Sequence, residues 1–339
     1  MVQESTILAA DIGGTKTYAG LFTQEQGRLR PTLVKRLVNT DFDSVEALLS
    51  SFINEAGGLD ELEISGATLG VACPVEGNRC SLTNTPWVID GSVIAGMLGL
   101  GEVKLLNDLE ATGWGIDALE REDIQVINAG VRRGGNAALI AAGTGLGEAI
   151  LFSCDGSRRP SATEGGHTDF APCSELEMEL LSDLMRRFGH VSYERILSGN
   201  GLGNIYRFLQ EKAGETMPPA AKQALENNGG GEFVFKEARE KANPRAAEAL
   251  RIFVSIYGAE AGNLALKSLS TGGLYIGGGI AAKIFGESEE KTFMESFVRK
   301  GRFRELLLDI PVYLIKNDKA GLLGAAKYAS YFLLEKRIF

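Results

Sequence analysis

Asn107 and Asp108 are adjacent polar residues whose types and position could do chemistry. They follow an apolar run, Val103–Leu106, and precede small and apolar residues typical of the start of a buried helix. The pair therefore lies at the C-terminal end of a predicted strand, which is where ligands bind in open α/β sheets. Asp108 could contact a ligand at this edge through its carboxylate. Its structural alternative is helix capping, because Asp is a favoured N-cap residue.

A glycine turn between two strand-like runs is the next candidate. The run Thr6–Asp11 ends in a carboxylate, Ile12–Thr15 supplies two glycines and a hydroxyl, and Lys16–Thr23 forms the next predicted strand. Such a turn could bring backbone N–H groups against a phosphate, while Asp11 holds a hydrated Mg²⁺ ion. The alternative is an ordinary hairpin, which also uses Gly-Gly. Because a strand follows rather than a helix, a Walker A loop and a Rossmann fingerprint are both disfavoured.

The second half of the sequence repeats this pattern. Leu139–Gly147 reads LIAAGTGLG where Ile7–Thr15 reads ILAADIGGT, and a strand-like run, Glu148–Phe152, follows. Two such units indicate duplicated halves, and the second turn could cradle another part of a polyphosphate. Further on, Gly277–Gly279 could let a flat base lie against the backbone, the alternative being a strand-to-helix turn. The candidate residues for this phosphate and base site are Ala10, Asp11, Ile12, Gly13, Gly14, Thr15, Gly143, Thr144, Gly145 and Gly278.

Three further polar residues are candidates for a small-molecule site. Glu164 and His167 flank two glycines in a predicted loop, and loops carry function more often than core elements do. The alternative for His167 is an ordinary surface histidine. Glu194 lies in a segment with helical spacing, and its alternative is a solvated or salt-bridged helix face, with Arg195 as the partner.

The composition fits a globular protein with a sizeable core. The chain has 339 residues, of which 44% are hydrophobic and 23% charged, enough for two domains of ordinary size. The formal net charge is -9 and no Lys/Arg-rich run stands out, so we expect no nucleic-acid partner and no anionic membrane. The sequence contains no apolar run long enough for a bilayer and no signal-type N-terminus.

The cysteines and histidines limit the metal chemistry. Only His167 and His190 are present, which excludes His-rich metal sites. The cysteines are scattered and form no C-x-x-C pair, which predicts reduced thiols in a cytoplasm and no structural zinc. They are Cys73, Cys80, Cys154 and Cys173.

Strand-like and helix-like runs alternate along the chain and predict an α/β fold. Besides the runs named above, strands are predicted at Leu29–Val38, Ile64–Val71, Leu274–Ile276 and Pro311–Lys316. Helices are predicted at Ser44–Glu55, Gly91–Leu100, Glu175–Phe188, His190–Ser198, Gly201–Gly214, Pro219–Asn228, Ala246–Ser268 and Leu322–Lys336. Ser81–Trp87, which contains Asn84, and Asn227–Gly231 are interpreted as loops.

In their joint order and spacing, these motifs resemble the bacterial ATP-dependent glucokinase family, within the sugar-kinase, actin and heat-shock ATPase superfamily. The resemblance covers nearly the whole chain and rests on Asp11–Thr15, Ala72–Trp87, Leu106–Asp108, Ala142–Gly147, Glu164–Pro172, Gly189–Gly199, Gly258–Leu266 and Pro311–Gly324. It implies a two-domain actin-like (ribonuclease H-like) α/β fold with an interdomain cleft, usually in a homodimer. The small domain would comprise residues 1–117 and 322–339, and the large domain residues 118–321.

The same resemblance implies transfer of the γ-phosphoryl group of ATP to the 6-hydroxyl of D-glucose, with Mg²⁺ as cofactor, as in glycolysis. It implies that the sugar contacts Asn107, Asp108, Glu164, His167 and Glu194, with Asp108 as the base. Lys16 departs from the pattern, since the family more often carries Asn after G-G-T. Lys at this position is familiar from the related repressor-and-kinase (ROK) family, whose cluster of cysteines with a histidine is absent from this sequence.

Three alternatives remain open at this point. The first is a kinase of the same superfamily that acts on mannose or an amino sugar. The second is a sugar-sensing regulator without turnover, which would be expected to carry a helix-turn-helix before the first strand. The third is an actin-like ATPase or chaperone, which would not need Glu164, His167 and Glu194.

Overall fold

The computed structural model describes residues 6–25, 28–82, 85–154, 156–240 and 243–335, with side chains up to residue 332. Asn84 and Lys336, which fall in two of the predicted segments, lie outside this range. The chain divides into two compact units, the first comprising Met1–Arg121 and Asn317–Phe339 and the second Glu122–Lys316. These limits lie within a few residues of the expected domain boundaries, and the roles expected for the two domains stay predictions.

The first unit is built on a five-stranded sheet. In chain order the strands are β1 (Thr6–Ile12), β2 (Lys16–Glu25), β3 (Arg28–Val38), β4 (Ile64–Val71) and, after a separate hairpin, β7 (Lys104–Asn107). The spatial order is β3-β2-β1-β4-β7, with β1, β4 and β7 parallel to one another. The predicted strands of this half are confirmed, and the C-terminal ends of β1, β4 and β7 meet at one edge of the sheet.

Helices cover both faces of this sheet. They are α1 (Val45–Glu55), α2 (Gly91–Leu98), α3 (Asp108–Gly115) and α12 (Ala320–Glu335). Leu8 and Ala10 of β1 share a buried core with α1 and α2, whereas Ile7 and Ala9 pack with α12. This alternation is the period-two pattern of a strand buried on both faces. The apolar last helix thus packs on the first sheet, as its sequence predicted.

A short hairpin, β5 (Arg79–Ser81) with β6 (Val88–Asp90), flanks the segment that was interpreted as a loop. The chain reverses just before it, because the backbones of Glu76 and Arg79 bond to each other in both directions over 3.0 Å. This reversal brings the Cα atoms of Cys73 and Cys80 to 6.0 Å, and the two residues form a disulfide. The expectation of four reduced thiols is therefore wrong for this pair.

The second unit contains a six-stranded sheet. Its strands are β8 (Ile124–Asn128), β9 (Ala137–Ala142), β10 (Leu146–Cys154), β11 (Ser157–Thr163), β12 (Leu274–Gly277) and β13 (Val312–Ile315). Their spatial order is β11-β10-β9-β12-β13-β8. β9 and β10 form the second strand–turn–strand unit, and β12 runs parallel to β9 on its other side. The repeat seen in the sequence is thus a repeat in structure.

The helices of the second unit include a long buried one, α8 (Pro244–Ser268), which packs against α5, α7 and α10. The set is α4 (Glu175–Phe188), α5 (Gly199–Lys212), α6 (Pro219–Glu226), α7 (Gly230–Arg239), α8, α9 (Ala281–Ile284), α10 (Glu287–Phe297) and α11 (Arg304–Asp309). Across the part of the chain that the structure describes, every helix is too short or too polar to cross a membrane.

Two short 3-10 turns, Gly165–His167 and Tyr193–Arg195, carry candidate site residues. A longer helix was predicted over His190–Ser198. Instead, backbone bonds hold this segment against its neighbour, because Phe170 N–H donates to the Val191 carbonyl over 2.9 Å and Tyr193 N–H to the Thr168 carbonyl over 3.0 Å. Pairing between the segments replaces the local helical bonds.

Candidate active site

The first glycine turn joins β1 to β2 and is closed by the Gly13 N–H, which donates to the Lys16 carbonyl over 3.0 Å. A buried side chain, Asn39, supports it from behind. The Asn39 amide Nδ2 donates to the Gly13 carbonyl over 2.8 Å, and its backbone N–H donates to the Thr15 carbonyl over 3.1 Å. Thr15 itself is exposed, so its hydroxyl is accessible to a ligand.

Asp11 and the Asn107-Asp108 pair lie at the same edge of the first sheet. Across the parallel strands, Ile12 is opposite Val71 and Val71 is opposite Asn107. Burial raises the pKa of Asp11 to about 7, and the negative charge of Asp108 adds to this rise while Lys16 opposes it. The structure therefore brings the two predicted carboxylates into electrostatic contact.

The helix cap at this edge is Asn107 rather than Asp108. The Asn107 side-chain oxygen accepts the Leu109 N–H over 3.0 Å, and Asp108 is the first residue of α3. The Asp108 carboxylate accepts the same N–H over 2.8 Å. Asn107 is therefore the N-cap of α3. The Asp108 side chain contributes a second bond to the same N–H group.

Lys16, the departure from the family pattern, is close to the first turn. Its ammonium lies 3.4 Å from the Asp318 carboxylate and 4.8 Å from the centre of the Tyr18 ring. Tyr18 donates its own hydroxyl to the same carboxylate. Both partners of the ion pair are solvent-exposed, and such pairs contribute about 0–1 kcal/mol. Lys16 is therefore weakly held and near enough to affect the charge of Asp11.

The second glycine turn joins β9 to β10, and the candidate residue Gly278 lies beside it. The Gly143 N–H donates to the Gly145 carbonyl over 2.8 Å, and Ile280 N–H donates to the Ala142 carbonyl over 3.3 Å. Gly278 has a φ of +86°, and an added Cβ would lie 2.3 Å from the Ala142 carbonyl oxygen. Only glycine fits there, and its backbone reaches the end of β9.

Glu164, His167 and Glu194 gather near the start of β10. Leu146 N–H donates to the Glu194 carboxylate over 3.1 Å. Thr163 pairs with Glu148 across the β10–β11 ladder, so Glu164 leaves the sheet close to the same point. The His167 Nε2 atom lies 3.9 Å from the Glu164 carboxylate.

Arg195, the partner in the structural alternative for Glu194, does not form a salt bridge with it. The Glu194 carboxylate supports the second glycine turn, while the Arg195 guanidinium lies over the Phe188 ring at 4.4 Å. The second unit therefore brings its three predicted sugar residues together beside the turn. Among the residues with described positions, no group of three or more His, Cys, Asp or Glu could hold a metal ion.

Known proteins are similar to this chain over nearly its whole length. A sequence model of the family described as Glucokinase matches residues 8–331. The glucokinase of Nostoc sp. is 38% identical, with 96% of this chain and 98% of the relative covered, and that of Yersinia enterocolitica is 34% identical, with 96% of each covered. The chain belongs to the glucokinase family. The family that the motifs indicated is confirmed.

Solved structures confirm the two-domain α/β fold of this glucokinase-family chain. A glucokinase from an Antarctic psychrotroph matches with a TM-score of 0.84 and 28% identity, over 97% of this chain and all of the other. A glucokinase from Balamuthia mandrillaris, solved in complex with glucose, matches with a TM-score of 0.73 and 21% identity, over 96% of this chain and 94% of the other. The second likeness concerns the fold alone.

Two supporting residues of this glucokinase-family chain were not found from the sequence. Asn39 gave no signal, because a polar residue after a strand usually starts a loop. Glu148 did give one, since it is a carboxylate inside an apolar strand, yet it is only 2% exposed. Charged side chains are rarely that buried without a partner, so this position could have been singled out.

Proposed function

We propose that this glucokinase-family chain transfers the γ-phosphoryl group of ATP to the 6-hydroxyl of D-glucose, giving glucose 6-phosphate and ADP. The observation that carries the proposal is the placement of Asp108 near Asp11 at the edge of the parallel strands, next to a glycine turn. Phosphoryl transfer needs positioning, charge stabilisation and a carboxylate for the alcohol proton. The names of the bacterial relatives support glucose as the acceptor.

Asp108 is the proposed general base. It accepts the proton of the sugar's primary hydroxyl as that oxygen bonds to the γ-phosphorus, while the bond from this phosphorus to the β–γ bridging oxygen breaks. Its place as the first residue of α3 supports this role, since the helix dipole stabilises a negative charge at an N-terminus.

The proposed sugar contacts are made by Asn107, Asp108, Glu164, His167 and Glu194. Each sugar hydroxyl both donates and accepts, so carboxylates that accept and Asn or His side chains that do both suit a polyol. The Glu164 and His167 side chains are 72% and 58% exposed, which leaves their polar atoms accessible. Such a site disfavours a sugar that lacks a hydroxyl, because its own polar groups would stay unpaired.

ATP is proposed to bind through Ala10–Thr15, Gly143–Gly145 and Gly278. The hydroxyls of Thr15 and Thr144 are exposed at the two turns, beside the backbone N–H groups that suit phosphate oxygens.

Asp11 suits Mg²⁺, because burial and the charges of Asp108 and Asp318 raise the pKa of its carboxyl, and a bound cation would lower it. When bound, Mg²⁺ supplies neutralisation of the phosphate charge. Asp11 would hold the ion through water, as the sequence analysis expected. We also propose that the chain acts as a homodimer, as the family resemblance implies, and that it acts in the cytoplasm.

A coupled assay with ATP, Mg²⁺ and a panel of sugars tests the proposed activity. We expect the highest kcat/KM with glucose, lower values with mannose and glucosamine, and no turnover of 6-deoxyglucose, which lacks the acceptor. A higher kcat/KM with an amino sugar would reassign the acceptor. Sugar binding without turnover would support the regulator instead.

A further inference from the structure

A pair of carboxyl groups is buried beneath the candidate sugar residues of the second unit. Glu148 on β10 is 2% exposed and Glu260 on α8 is fully buried. The two side chains are hydrogen-bonded to each other, and the Glu148 Oε1 atom has no hydrogen-bond partner. Two neighbouring carboxyl groups in a buried site do not both stay ionised, because the two negative charges repel each other. One of them therefore holds a proton.

The surroundings of Glu260 indicate which carboxyl carries the negative charge. Its oxygens accept the Asn263 amide over 2.7 Å, and the Lys267 ammonium lies 3.5 Å away. The Tyr193 hydroxyl lies near enough to be affected by the charge of Glu260, and it accepts the Asn263 amide over 3.1 Å. Glu148 has no such set of donors, and burial followed by the charge of Glu260 raises its pKa to about 8. The proton therefore belongs to Glu148, which donates it to Glu260.

Glu148 lies directly against the segment that holds Glu164 and His167. A Cβ added at Gly165 would lie 2.1 Å from the Glu148 Oε2 atom, so the carboxyl group fills the space that a side chain would need. The Glu148 carbonyl accepts the Thr163 hydroxyl over 3.0 Å, and that hydroxyl accepts the Gly165 N–H over 3.2 Å. The backbone on both sides of Glu164 is thus fixed by Glu148.

Glu260 is connected in the same way to the segment that holds Glu194. The residue before it, Tyr193, is 3% exposed, and its hydroxyl accepts the Asn263 amide over 3.1 Å. The same amide donates to Glu260 over 2.7 Å. Asn263 is held in turn by the Lys300 ammonium over 2.6 Å. One polar network therefore contacts both segments that carry the proposed sugar residues.

We propose that Glu148 and Glu260, sharing one proton, are positioning residues that fix Glu164, His167 and Glu194 for binding the sugar. This inference rests on the proposed function of those three residues. When Glu148 loses the proton, two adjacent buried negative charges repel and both segments loosen. Glucose binding then weakens at alkaline pH, while ATP binding does not. The titratable groups that face this pair from the packed elements are Tyr193, Tyr257, Lys267, Lys300 and, near Tyr193, Cys173.

Two substitutions at one position test the inference. In Glu148→Gln the amide can still donate to Glu260 but cannot ionise, whereas Glu148→Leu removes the donor. Hydrogen exchange measured by mass spectrometry should show faster exchange of residues 163–170 and 190–196 in Glu148→Leu at neutral pH. At pH 9, the same two segments should exchange faster in the wild type than in Glu148→Gln. Both rates are corrected for the intrinsic effect of pH on exchange. Asp183→Leu, which removes another buried carboxylate of this unit, is the control for general loosening.

Kinetics supply the second readout. We expect glucose KM to rise about 10-fold to 100-fold in Glu148→Leu, the range that misplacement of binding groups produces. ATP KM should change little, and Glu148→Gln should restore glucose KM and remove its rise above about pH 8.

Unchanged exchange of both segments in a folded Glu148→Leu protein overturns the inference, and so does the same alkaline rise in glucose KM in Glu148→Gln as in the wild type. Because exchange needs no sugar, it decides the inference even if the coupled assay finds no glucose turnover. That latter result would count against the proposed function alone.

Discussion

The two glycine turns share a strand–turn–strand form but place different groups at the end of the first strand. In the first unit, Ile12 and Thr17 flank a turn of four residues, and Asp11 precedes it. In the second unit, Ala142 and Leu146 flank a turn of three residues, and the strand ends in alanines. The first turn therefore combines backbone N–H groups with a carboxylate, while the second offers backbone and a hydroxyl only.

The supports of the two turns differ as well. The buried Asn39 side chain holds the first turn by donating to the Gly13 carbonyl. Asp108 is the charged neighbour of Asp11 beside this turn. The second turn is held by Gly199 N–H, which donates to the Gly143 carbonyl over 3.0 Å, and by the Glu194 carboxylate. A repeated backbone unit thus serves two purposes, and the side chains packed against each turn set the difference. We propose acid–base and metal chemistry at the first turn, and nucleotide binding next to the proposed sugar residues at the second.

The largest expected effect concerns the first turn's charged neighbour. Asp108→Asn should lower kcat by about 10²–10⁴, the usual contribution of a general base, with a much smaller change in KM. The melting temperature should hardly change, because Asn107 is the cap and Asn caps about as well as Asp. Glu110→Gln, two residues along the same helix, is the matched control and should keep kcat. A normal kcat in Asp108→Asn would remove the base assignment.

Asp11 should couple nucleotide binding to proton release. Its pKa of about 7 leaves it roughly half protonated at pH 7, and a nearby cation lowers that pKa, so binding of Mg·ADP should release roughly half a proton. Calorimetry at pH 7 in buffers of different ionisation enthalpy measures this number. Asp11→Asn should abolish the release. Equal proton release in that variant would place the titrating group elsewhere.

The same raised pKa fixes the sign of a stability effect in the ligand-free protein. Asp11 titrates at a higher pH when folded than when unfolded, so its protonated form is favoured by the fold. The contribution of Asp11 to stability is full below its ordinary pKa and is lost as the pH rises through about 7. The free energy of unfolding should be measured with denaturant at about pH 5 to 8, a range that includes the Asp11 pKa. It should decline less with rising pH in Asp11→Asn than in the wild type. Identical declines would mean that Asp11 is not the responsible group.

Glu194→Gln tests the second turn's link to the sugar. The amide oxygen can still accept the Leu146 N–H, but the charge is lost, and we expect glucose affinity to fall by about 10–100-fold. ATP affinity, measured by calorimetry, should stay the same. Arg195→Ala is the control, because that side chain contacts Phe188 rather than Glu194. Unchanged glucose affinity would return Glu194 to a structural role.

The smallest expected effect is at the second turn itself. Thr144→Val removes one neutral hydroxyl, so ATP KM should rise by about 2-fold to 10-fold with glucose KM unchanged. Steady-state kinetics with each substrate varied in turn give both values, and Thr15→Val offers the matched change at the first turn. A rise in glucose KM alone would show that the second turn had been misassigned.

Much of this fold could be predicted because its signals are local. The strand ends at Asp11 and Asn107 and the two glycine turns follow from apolar runs that stop at polar or glycine residues. The predicted bounds of Glu175–Phe188 are the observed ones. The 3-10 turn at Tyr193–Arg195 was missed because pairing with another segment overrides helical spacing.

The parts of the site that could not be predicted depend on contacts between distant segments. Asn39 supports Gly13 and Thr15 only because β3 returns to β1 and β2. Glu148 and Glu260 meet only when α8 packs on the second sheet, and Cys73 meets Cys80 only after the reversal at Glu76. Spacing along the chain carries no information about such pairs, so the support of the site is visible in the structure alone.

The most direct test of the account is the identity of the product. The wild-type protein should be incubated with ATP, Mg²⁺ and glucose, and the mixture followed by ³¹P nuclear magnetic resonance with proton coupling. The account predicts one phosphomonoester on the 6-carbon of glucose, formed in equal amount with ADP. An ester at another hydroxyl, or ADP and free phosphate without a sugar ester, would contradict it.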